Sequence, residues 1–363
     1  MRYKKFFALL LALALVCGSL SGCAAGQTAA PAEPAVSFTD SLGRTVDIPK
    51  TLTRVAPSGA VASMFLATIA PEYMTTINAT PSSSQYKYLD PRLIDLPTTG
   101  QMYGSKSTLN LESILTSGVQ VVIDLGDKKD NMAADLDALQ RQIGMPVIFI
   151  EADLPHMAEA YRTLGKILSG KEARGEELAA FVEETVSMAE ENAANIQDSE
   201  RISVLYTSGS SGLDTNAKGS IQAQVLDLMG IENAAVVEDV SNKGGGNPIN
   251  LEQLYRFDPD VILFAAGSIY QTAAADEAWQ PLRAIQTGRY YEVPSMPYNW
   301  LSGPPSLNML LGVWWLGNLL YPQYYDYDMV EKTQEMFRLF WAYDLSADEA
   351  RAMLANSTLK DAS

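Results

Sequence analysis

Histidine and cysteine are scarce in this sequence. Its 363 residues include one histidine, His156, and two cysteines, Cys17 and Cys23. Zinc sites in proteins usually have several histidine or cysteine ligands, and the sequence offers a single histidine without cysteine partners. We therefore expect a structural or surface role for His156 and predict no metal-binding residues. Because both cysteines precede residue 24, we also expect no disulfide and no thiol nucleophile in the body of the protein.

Basic residues are also few. The chain has 26 lysines and arginines against 43 aspartates and glutamates, which gives a formal net charge of −17. Proteins that bind nucleic acid depend on basic patches, and anionic membrane surfaces attract basic segments. The composition therefore argues against a nucleic-acid partner and against adsorption of the protein body on a membrane.

Sequence signatures of catalysis are missing as well. The chain has no G-x-S-x-G elbow, no metal-binding histidine pair, no P-loop and no G-x-G-x-x-G fingerprint. Glycines occupy positions 244–246, but no G-K-[ST] motif follows them. We predict that the protein is not an enzyme and needs no cofactor.

The N-terminus has the pattern of a secretory signal. Residues 1–5 are basic, residues 6–16 are apolar, and L-S-G-C ends at Cys23. This ending resembles a bacterial lipobox, which implies a signal peptide at 1–22 and lipid attachment to Cys23; an ordinary cleaved signal is the alternative. Residues 23–37, rich in Ala and Pro, are predicted to be a flexible tether. The protein would then be anchored by lipid to the outer face of the cell membrane.

Two segments of the chain repeat one pattern. Residues 110–124 and 250–264 both begin N-L-E, continue as a short amphipathic helix and end in an aliphatic run. In the first, Leu111, Ile114 and Leu115 have the spacing of one helical face, which we interpret as buried. The matching residues of the second are Leu251, Leu254 and Tyr255. The aliphatic runs are typical of parallel strands covered on both faces, so the repeat predicts two similar α/β lobes.

The helices and strands predicted outside the two repeats are consistent with an α/β architecture. We predict two Rossmann-like lobes, each a mostly parallel sheet with flanking helices, joined by one long helix and followed by a C-terminal helical extension. Residues 172–194 are expected to form the long helix, and residues 74–79 a strand. The predicted boundaries are an N-terminal lobe at 38–153, linker helices at 154–198, a C-terminal lobe at 199–325 and the helical extension at 326–363.

Four motifs resemble one known family. They are the opening F-T-D-S-L-G-R-T-V-D-I-P, the two N-L-E units and S-I-Q-A-Q-V-L-D-L-M-G-I-E-N from position 220. Over residues 38–322 the chain is similar to the extracytoplasmic binding proteins of ABC importers for ferric siderophores, corrinoids and haem. The resemblance implies a ligand held in a cleft between two lobes, little hinge motion, and a permease dimer with its ATPase as partner. We expect a monomer.

The resemblance also gives a role to the glutamate of each repeat. In the family, this residue lies on the outer surface and pairs with arginines of the permease, which here implies docking through Glu112 and Glu252. One exposed carboxylate per lobe suits a two-fold symmetric partner. The alternative is a charge that only stabilises the start of a helix.

Loops at the carboxyl ends of the strands should line the cleft. They carry amines and aromatic rings, which together suit an anionic chelate with an organic shell. The residues predicted to bind the ligand are Ser58, Tyr103, Lys106, Lys128, Lys243, Tyr270, Tyr298 and Trp300.

The sequence favours an iron chelate over other cargoes. Corrinoid-binding members have tryptophans at positions that hold Lys106, Leu125 and Gly246 here, which points to a ferric siderophore or a similar anionic iron complex. Molybdate or tungstate, held by Ser, Gly amides and Lys, is the main alternative, and a corrinoid remains another. Haem ligation by histidine is not expected. A more remote possibility is a surface receptor that senses its ligand without transporting it.

Overall fold

The computed structural model describes residues 34–103 and 108–358. The predicted signal peptide, Cys23 and Lys106 lie outside these ranges. Within them, no helix combines the length and the apolar character that are needed to cross a bilayer.

A hairpin and a three-stranded parallel sheet open the described chain. Strands β1 and β2 pair antiparallel, and the next three strands pair in the order β3-β4-β5. Because β1 already begins at Ala35, the last residues of the predicted tether belong to this strand. The elements are β1 (Ala35–Thr39), β2 (Thr45–Pro49), β3 (Val55–Pro57), α1 (Ala60–Ile69), α2 (Leu111–Thr116), β4 (Val121–Gly126), α3 (Met132–Ile143) and β5 (Val147–Glu151).

The central strand of this sheet is covered on both faces. All six residues of β4 are buried. Phe65 of α1 and Ile123 belong to one hydrophobic cluster, whereas Leu136 of α3 and Val122 belong to another. Alternate side chains of a strand point to opposite faces, so an unbroken aliphatic strand fits a sheet with helices on both sides.

Two helices follow the sheet: α4 (Met157–Ile167) and α5 (Glu172–Asn195). The 24 residues of α5 correspond to a length of about 36 Å. The pair packs closely through glycines: a methyl group added at Gly175 would lie 2.6 Å from the carbonyl oxygen of Tyr161. The unbroken helix matches the predicted long connection.

A second parallel sheet follows α5, with the strand order β11-β10-β6-β8. Strands β7 and β9 form a separate antiparallel pair. The two parallel sheets share no strand. The elements are β6 (Ser203–Thr207), β7 (Asp214–Thr215), α6 (Gln224–Leu228), β8 (Glu232–Asn233), β9 (Asn247–Pro248), α7 (Leu251–Phe257), β10 (Val261–Phe264), α8 (Arg283–Gln286) and β11 (Tyr290–Glu292).

Three C-terminal helices pack back on the rest of the protein: α9 (Asn308–Leu320), α10 (Met329–Trp341) and α11 (Ala347–Leu354). The indole N–H of Trp314 donates to the hydroxyl of Thr185 on α5, at 2.9 Å. The guanidinium of Arg174, also on α5, donates to the carbonyl of Leu339 on α10. The long helix is therefore held along its length by the C-terminal helices.

The α/β fold class is confirmed, with parallel sheets flanked by helices, and both repeat units contain the predicted helix and strand. Asn110 and Asn250 cap their helices by accepting the N–H of Ser113 and Gln253, at 3.2 and 2.9 Å.

Two local predictions are wrong. Residues 74–79 make only isolated bridges at Met74 and Ile77, so no continuous strand forms there. Leu115, Leu251 and Tyr255 are not buried: they are 52%, 38% and 42% exposed. Helices α2 and α7 span six and seven residues, so each buries only one apolar position.

Candidate functional site

A cavity of about 560 Å³ lies between the carboxyl ends of the two parallel sheets. On one side it is lined by the residues that follow β3 and β4, and on the other by those that follow β6 and by residues 302–305. Loops at the carboxyl ends of parallel strands commonly form ligand sites, because the strand order leaves a crevice there. This cavity is therefore the candidate ligand site.

Asp124 forms the buried floor of the cavity. It is the fourth residue of the otherwise aliphatic strand β4, and the hydroxyl of Ser58 donates to its Oδ1. Its Oδ2 has no hydrogen-bond partner among the described residues. Burial raises the pKa of Asp124 to about 6, although the Ser58 hydrogen bond and the charge of Lys129 oppose the rise. The Oδ2 atom of Asp124 can therefore accept a hydrogen bond from a ligand in the cavity.

Two more buried oxygens of the cavity wall are available to a ligand. Tyr103 Oη and Gln222 Oε1 make no hydrogen bond of ordinary geometry within the described chain. Burial, together with the nearby carboxylates of Asp124 and Asp135, raises the pKa of Tyr103, so its hydroxyl keeps its proton. A buried polar atom without a partner costs about 1–3 kcal/mol, and a ligand that pairs with it recovers part of that cost.

Two lysines near the cavity, Lys128 and Lys129, are neutralised by carboxylates. Lys129 lines the cavity, where its Nζ lies 2.9 Å from Asp127 Oδ1 and 5.3 Å from the centre of the Tyr103 ring. Lys128 points to Glu151, with 2.6 Å between Nζ and Oε2. The described part of the cavity therefore lacks the surplus of positive charge that the sequence suggested.

The structure brings only some of the predicted ligand residues together. Ser58 and Tyr103 line the cavity, whereas Lys128, Lys243 and Tyr270 are not among its described lining residues. Lys243 is exposed beside the lining residues Asn242 and Gly244, and Tyr270 packs on Tyr290 with ring centres 5.7 Å apart.

Tyr298 lines an adjoining cavity of about 310 Å³. This space shares Ala60, Gly303 and Pro304 with the main cavity. Burial raises the pKa of Tyr298 to about 12, so the residue would offer a protonated hydroxyl to a ligand that extends from the main cavity.

Trp300 does not line the cavity, and its prediction as a ligand residue is corrected here. Its side chain is completely buried in the main hydrophobic cluster, and its indole N–H donates to the carbonyl of Met296 at 2.8 Å. An indole whose ring and N–H are both satisfied inside the core has no surface left for a ligand.

Sequence reasoning missed Asp124 and Gln222. A carboxylate inside an otherwise aliphatic strand was a usable signal for Asp124, because an ionisable side chain is buried only at a cost. Gln222 lies in a short 3-10 helix, Ile221–Ala223, inside the motif that begins at Ser220, but that motif indicated the family and gave no ligand role to this side chain.

The residues predicted for permease docking lie on the surface. Glu112 and Glu252 are both exposed, each in the first turn of its helix. Within residues 34–103 and 108–358, neither takes part in a salt bridge. Both carboxylates are therefore accessible to an external partner.

Solved structures with the same fold are known. The chain is similar to an ABC transporter solute binding protein from Sulfurospirillum deleyianum DSM 6946, with 26% identity over 88% of this chain and 99% of that one and a TM-score of 0.80. It is also similar to a periplasmic solute binding protein from Veillonella parvula DSM 2008, with 22% identity, 89% and 98% coverage and a TM-score of 0.72.

A third structure is the molybdate periplasmic binding protein MolA of Haemophilus influenzae, solved with molybdate bound. Its identity is 18%, over 86% of this chain and 99% of that one, with a TM-score of 0.69. The likenesses to this protein and to the Veillonella protein show a shared fold only.

A comparison with curated proteins gives no match. The family model described as "Periplasmic binding protein" matches residues 56–297, which is more than half of the chain. The chain therefore belongs to the periplasmic binding protein family, and it is a non-enzymatic, extracytoplasmic solute-binding component of an ABC importer that works with permease and ATPase partners.

Proposed function

We propose that this protein captures an iron chelate with an organic shell, of the ferric siderophore type, and delivers it to an ABC-transporter permease. The lobes at residues 38–153 and 199–325 would form the two walls of the binding cleft. The proposal rests on the cavity of about 560 Å³ with three buried oxygens, on Tyr103, Asp124 and Gln222, that lack ordinary hydrogen bonds within the described residues.

The size and the hydrogen-bonding character of the cavity support an organic ligand. Small-molecule sites have volumes of roughly 300–1,000 Å³, and a bare tetrahedral oxyanion would fill only a small part of this cavity. The available carboxylate and amide oxygens are acceptors, so they suit a ligand shell with N–H or O–H donors. An oxyanion offers acceptors only and would meet the carboxylate of Asp124 with like charge.

Molybdate or tungstate is the second candidate. The specific observation in its favour is the start of α1, where Ser58, Gly59, Ala60 and Val61 all line the cavity. The first turn of a helix presents free N–H groups and a positive dipole end, which suit an anion. MolA, whose structure contains molybdate, shares the fold.

Isothermal titration calorimetry separates the candidates. The purified protein would be titrated with ferric hydroxamate and catecholate siderophores, cobalamin, haem and molybdate. We expect a ferric siderophore to saturate the site, and Asp124→Asn and Gln222→Leu each to weaken its binding about tenfold, since each loses a hydrogen bond of about 1.4 kcal/mol. Asp130→Asn, which removes an exposed carboxylate outside the cavity lining, should bind normally. Saturation by molybdate alone would overturn the proposal.

The second part of the proposal is docking through Glu112 and Glu252. Both are exposed and occupy matching positions in the two repeats, so together they would present two carboxylates to a permease dimer. Replacement of both by arginine should abolish uptake while the affinity for the ligand stays unchanged, because neither lines the cavity. Glu190 and Glu191, two exposed acids of α5, provide a matched double charge reversal that should support uptake. Normal uptake by the Glu112/Glu252 variant would refute docking through these residues.

The third part concerns the anchor. The basic and apolar N-terminus and its L-S-G-C ending support cleavage before Cys23 and lipid attachment to this residue. Labelled palmitate should be incorporated into the protein in cells, and Cys23→Ser should abolish incorporation and release the protein from the membrane fraction. Membrane retention of the serine variant would contradict the anchor.

A further inference from the structure

The only histidine of the chain lies against two carboxylates. Glu151 is the last residue of β5, and His156 ends the 3-10 helix Leu154–His156. The Nδ1 atom of His156 contacts Asp153 Oδ1, and its Nε2 lies 3.9 Å from Glu151 Oε2. One ligand atom from each of the three residues falls within 4.8 Å of the others. These three residues are called the His156 cluster below.

The backbone holds the cluster in a fixed arrangement. The N–H of Glu151 donates to the hydroxyl of Ser41 at 3.0 Å, and the N–H of His156 donates to the carbonyl of Asp153 at 3.0 Å. The N–H of Leu154 donates to Gln224 Oε1 at 3.2 Å, which fixes the turn against α6. A site with its ligands already in place loses less entropy when it binds a cation.

We infer that the His156 cluster binds a divalent transition-metal cation such as Zn²⁺. Glu151 Oε2 and His156 Nε2 would be the ligands, and water would complete the coordination. Zinc bonds to histidine nitrogen and to carboxylate oxygen are each about 2.0–2.2 Å long. At a tetrahedral zinc ion with bonds of this length, the two ligand atoms lie about 3.4 Å apart. The observed separation of 3.9 Å is only slightly longer, and because the His156 side chain is half exposed, a small movement of the ring would bring both atoms within bonding distance of the cation.

Asp153 would orient the imidazole ring of His156 without binding the metal itself. It contacts Nδ1, the ring nitrogen that faces away from Glu151. A metal-bound histidine usually donates its other N–H to a carboxylate, which fixes the tautomer and the ring orientation and makes the imidazole a better ligand. The sequence-based expectation of no metal site considered cysteine partners only, whereas the fold supplies carboxylates.

Lys128 is the competitor of the cation. Its Nζ lies 2.6 Å from Glu151 Oε2, the oxygen that would bind the metal. Because the Lys128 side chain is about half exposed, the ion pair contributes little to stability and a divalent cation can displace the amine. None of the three cluster residues is among the described lining of the cavity, so this site is distinct from the cleft and does not depend on the proposed cargo.

Titration calorimetry with ZnCl₂ tests the inference. The protein would be prepared without a histidine tag, and any free thiol would be alkylated so that it does not compete for zinc. We expect one saturable site. His156→Ala and Glu151→Gln should abolish it, and Asp153→Asn should weaken it about 10- to 100-fold, as loss of such a partner usually does.

Two further variants keep the test decisive. Lys128→Met should bind zinc more tightly than the wild type, because Glu151 loses its competing partner; a nonspecific site would not respond in this way. Glu159→Gln, an exposed acid on α4 outside the cluster, should bind like the wild type. Absence of saturable binding, or equal binding by the His156→Ala variant, would overturn the inference.

Discussion

Asp124 should make the protein less stable at neutral pH than it would be with an uncharged residue at this position. The carboxyl is fully buried, one of its oxygens has no partner among the described residues, and burial raises its pKa. In Asp124→Asn the charge disappears, whereas an oxygen remains that can accept the hydrogen bond from Ser58. We expect the variant to be more stable than the wild type at pH 7.5.

The magnitude follows from the two pKa values. In the folded protein the pKa is about 6, against an ordinary value of 3.8, and this difference corresponds to about 3 kcal/mol. Between pH 3.8 and pH 6 the Asp124 carboxyl binds a proton more tightly in the folded than in the unfolded protein. Protonation of Asp124 therefore stabilises the folded state fully below about pH 4, and this stabilisation is lost as the pH rises through 6. About 2 of those 3 kcal/mol should be lost between pH 4.5 and pH 7.5.

Thermal unfolding at several pH values measures the effect. For about 325 folded residues, 3 kcal/mol corresponds to a rise in Tm of roughly 4 °C for Asp124→Asn at pH 7.5, shrinking toward pH 4.5. Asp130→Asn removes an exposed carboxylate that is not among the charges acting on Asp124, so its Tm should not rise. A Tm difference for Asp124→Asn that is absent at pH 7.5, or independent of pH, would refute the reasoning.

Two other substitutions test interactions that stabilise the fold: the close contact between helices α4 and α5, and a buried ion pair. Gly175→Ala should lower stability by about 1–3 kcal/mol, because the added methyl group would lie 2.6 Å from the Tyr161 carbonyl oxygen; an increase in Tm, as for an ordinary helical glycine, would contradict this. Asp40→Ala should cost about 3–5 kcal/mol in a urea titration, since its buried carboxylate pairs with Arg44 at 2.9 Å and accepts the N–H of Phe149 at 3.3 Å. A loss below 1 kcal/mol would show that the buried pair is dispensable.

The long periodic segments could be predicted from the sequence. Helices Met132–Ile143 and Met329–Trp341 begin or end at residues that carry ordinary helix-terminus signals. In the first, a left-handed glycine follows the last apolar position, and in the second, Asp328 caps the first turn. Buried strands β4 and β10 were equally clear, because their aliphatic runs have no competing interpretation once the helix before each is identified.

Side-chain exposure on short elements could not be predicted. Ile114 and Leu115 have the same apolar character, yet Ile114 is buried and Leu115 is 52% exposed. A helix of six residues has fewer than two turns, so its periodicity does not identify the buried face. Trp300 was misplaced for a related reason: an aromatic residue in a loop after the last strand can point to the cleft or to the core, and only the packing of α9 decides.

Which ligands the cleft can recognise depends on how its charged side chains are paired with one another, and not only on which residue types line it. Lys128 and Lys129 read as free cations in the sequence, but each has a carboxylate oxygen within 3 Å. Of the two, only Lys129 lines the cavity. An anionic ligand that binds Lys129 would have to displace Asp127, and the free energy gained from the new ion pair would be offset by the loss of the old one. The buried oxygens of Asp124 and Gln222 impose no such exchange, because neither has a partner to lose among the described residues. Selection in this cleft should therefore depend on ligand N–H and O–H groups, and among chelates of equal size those that bear such donors should bind best.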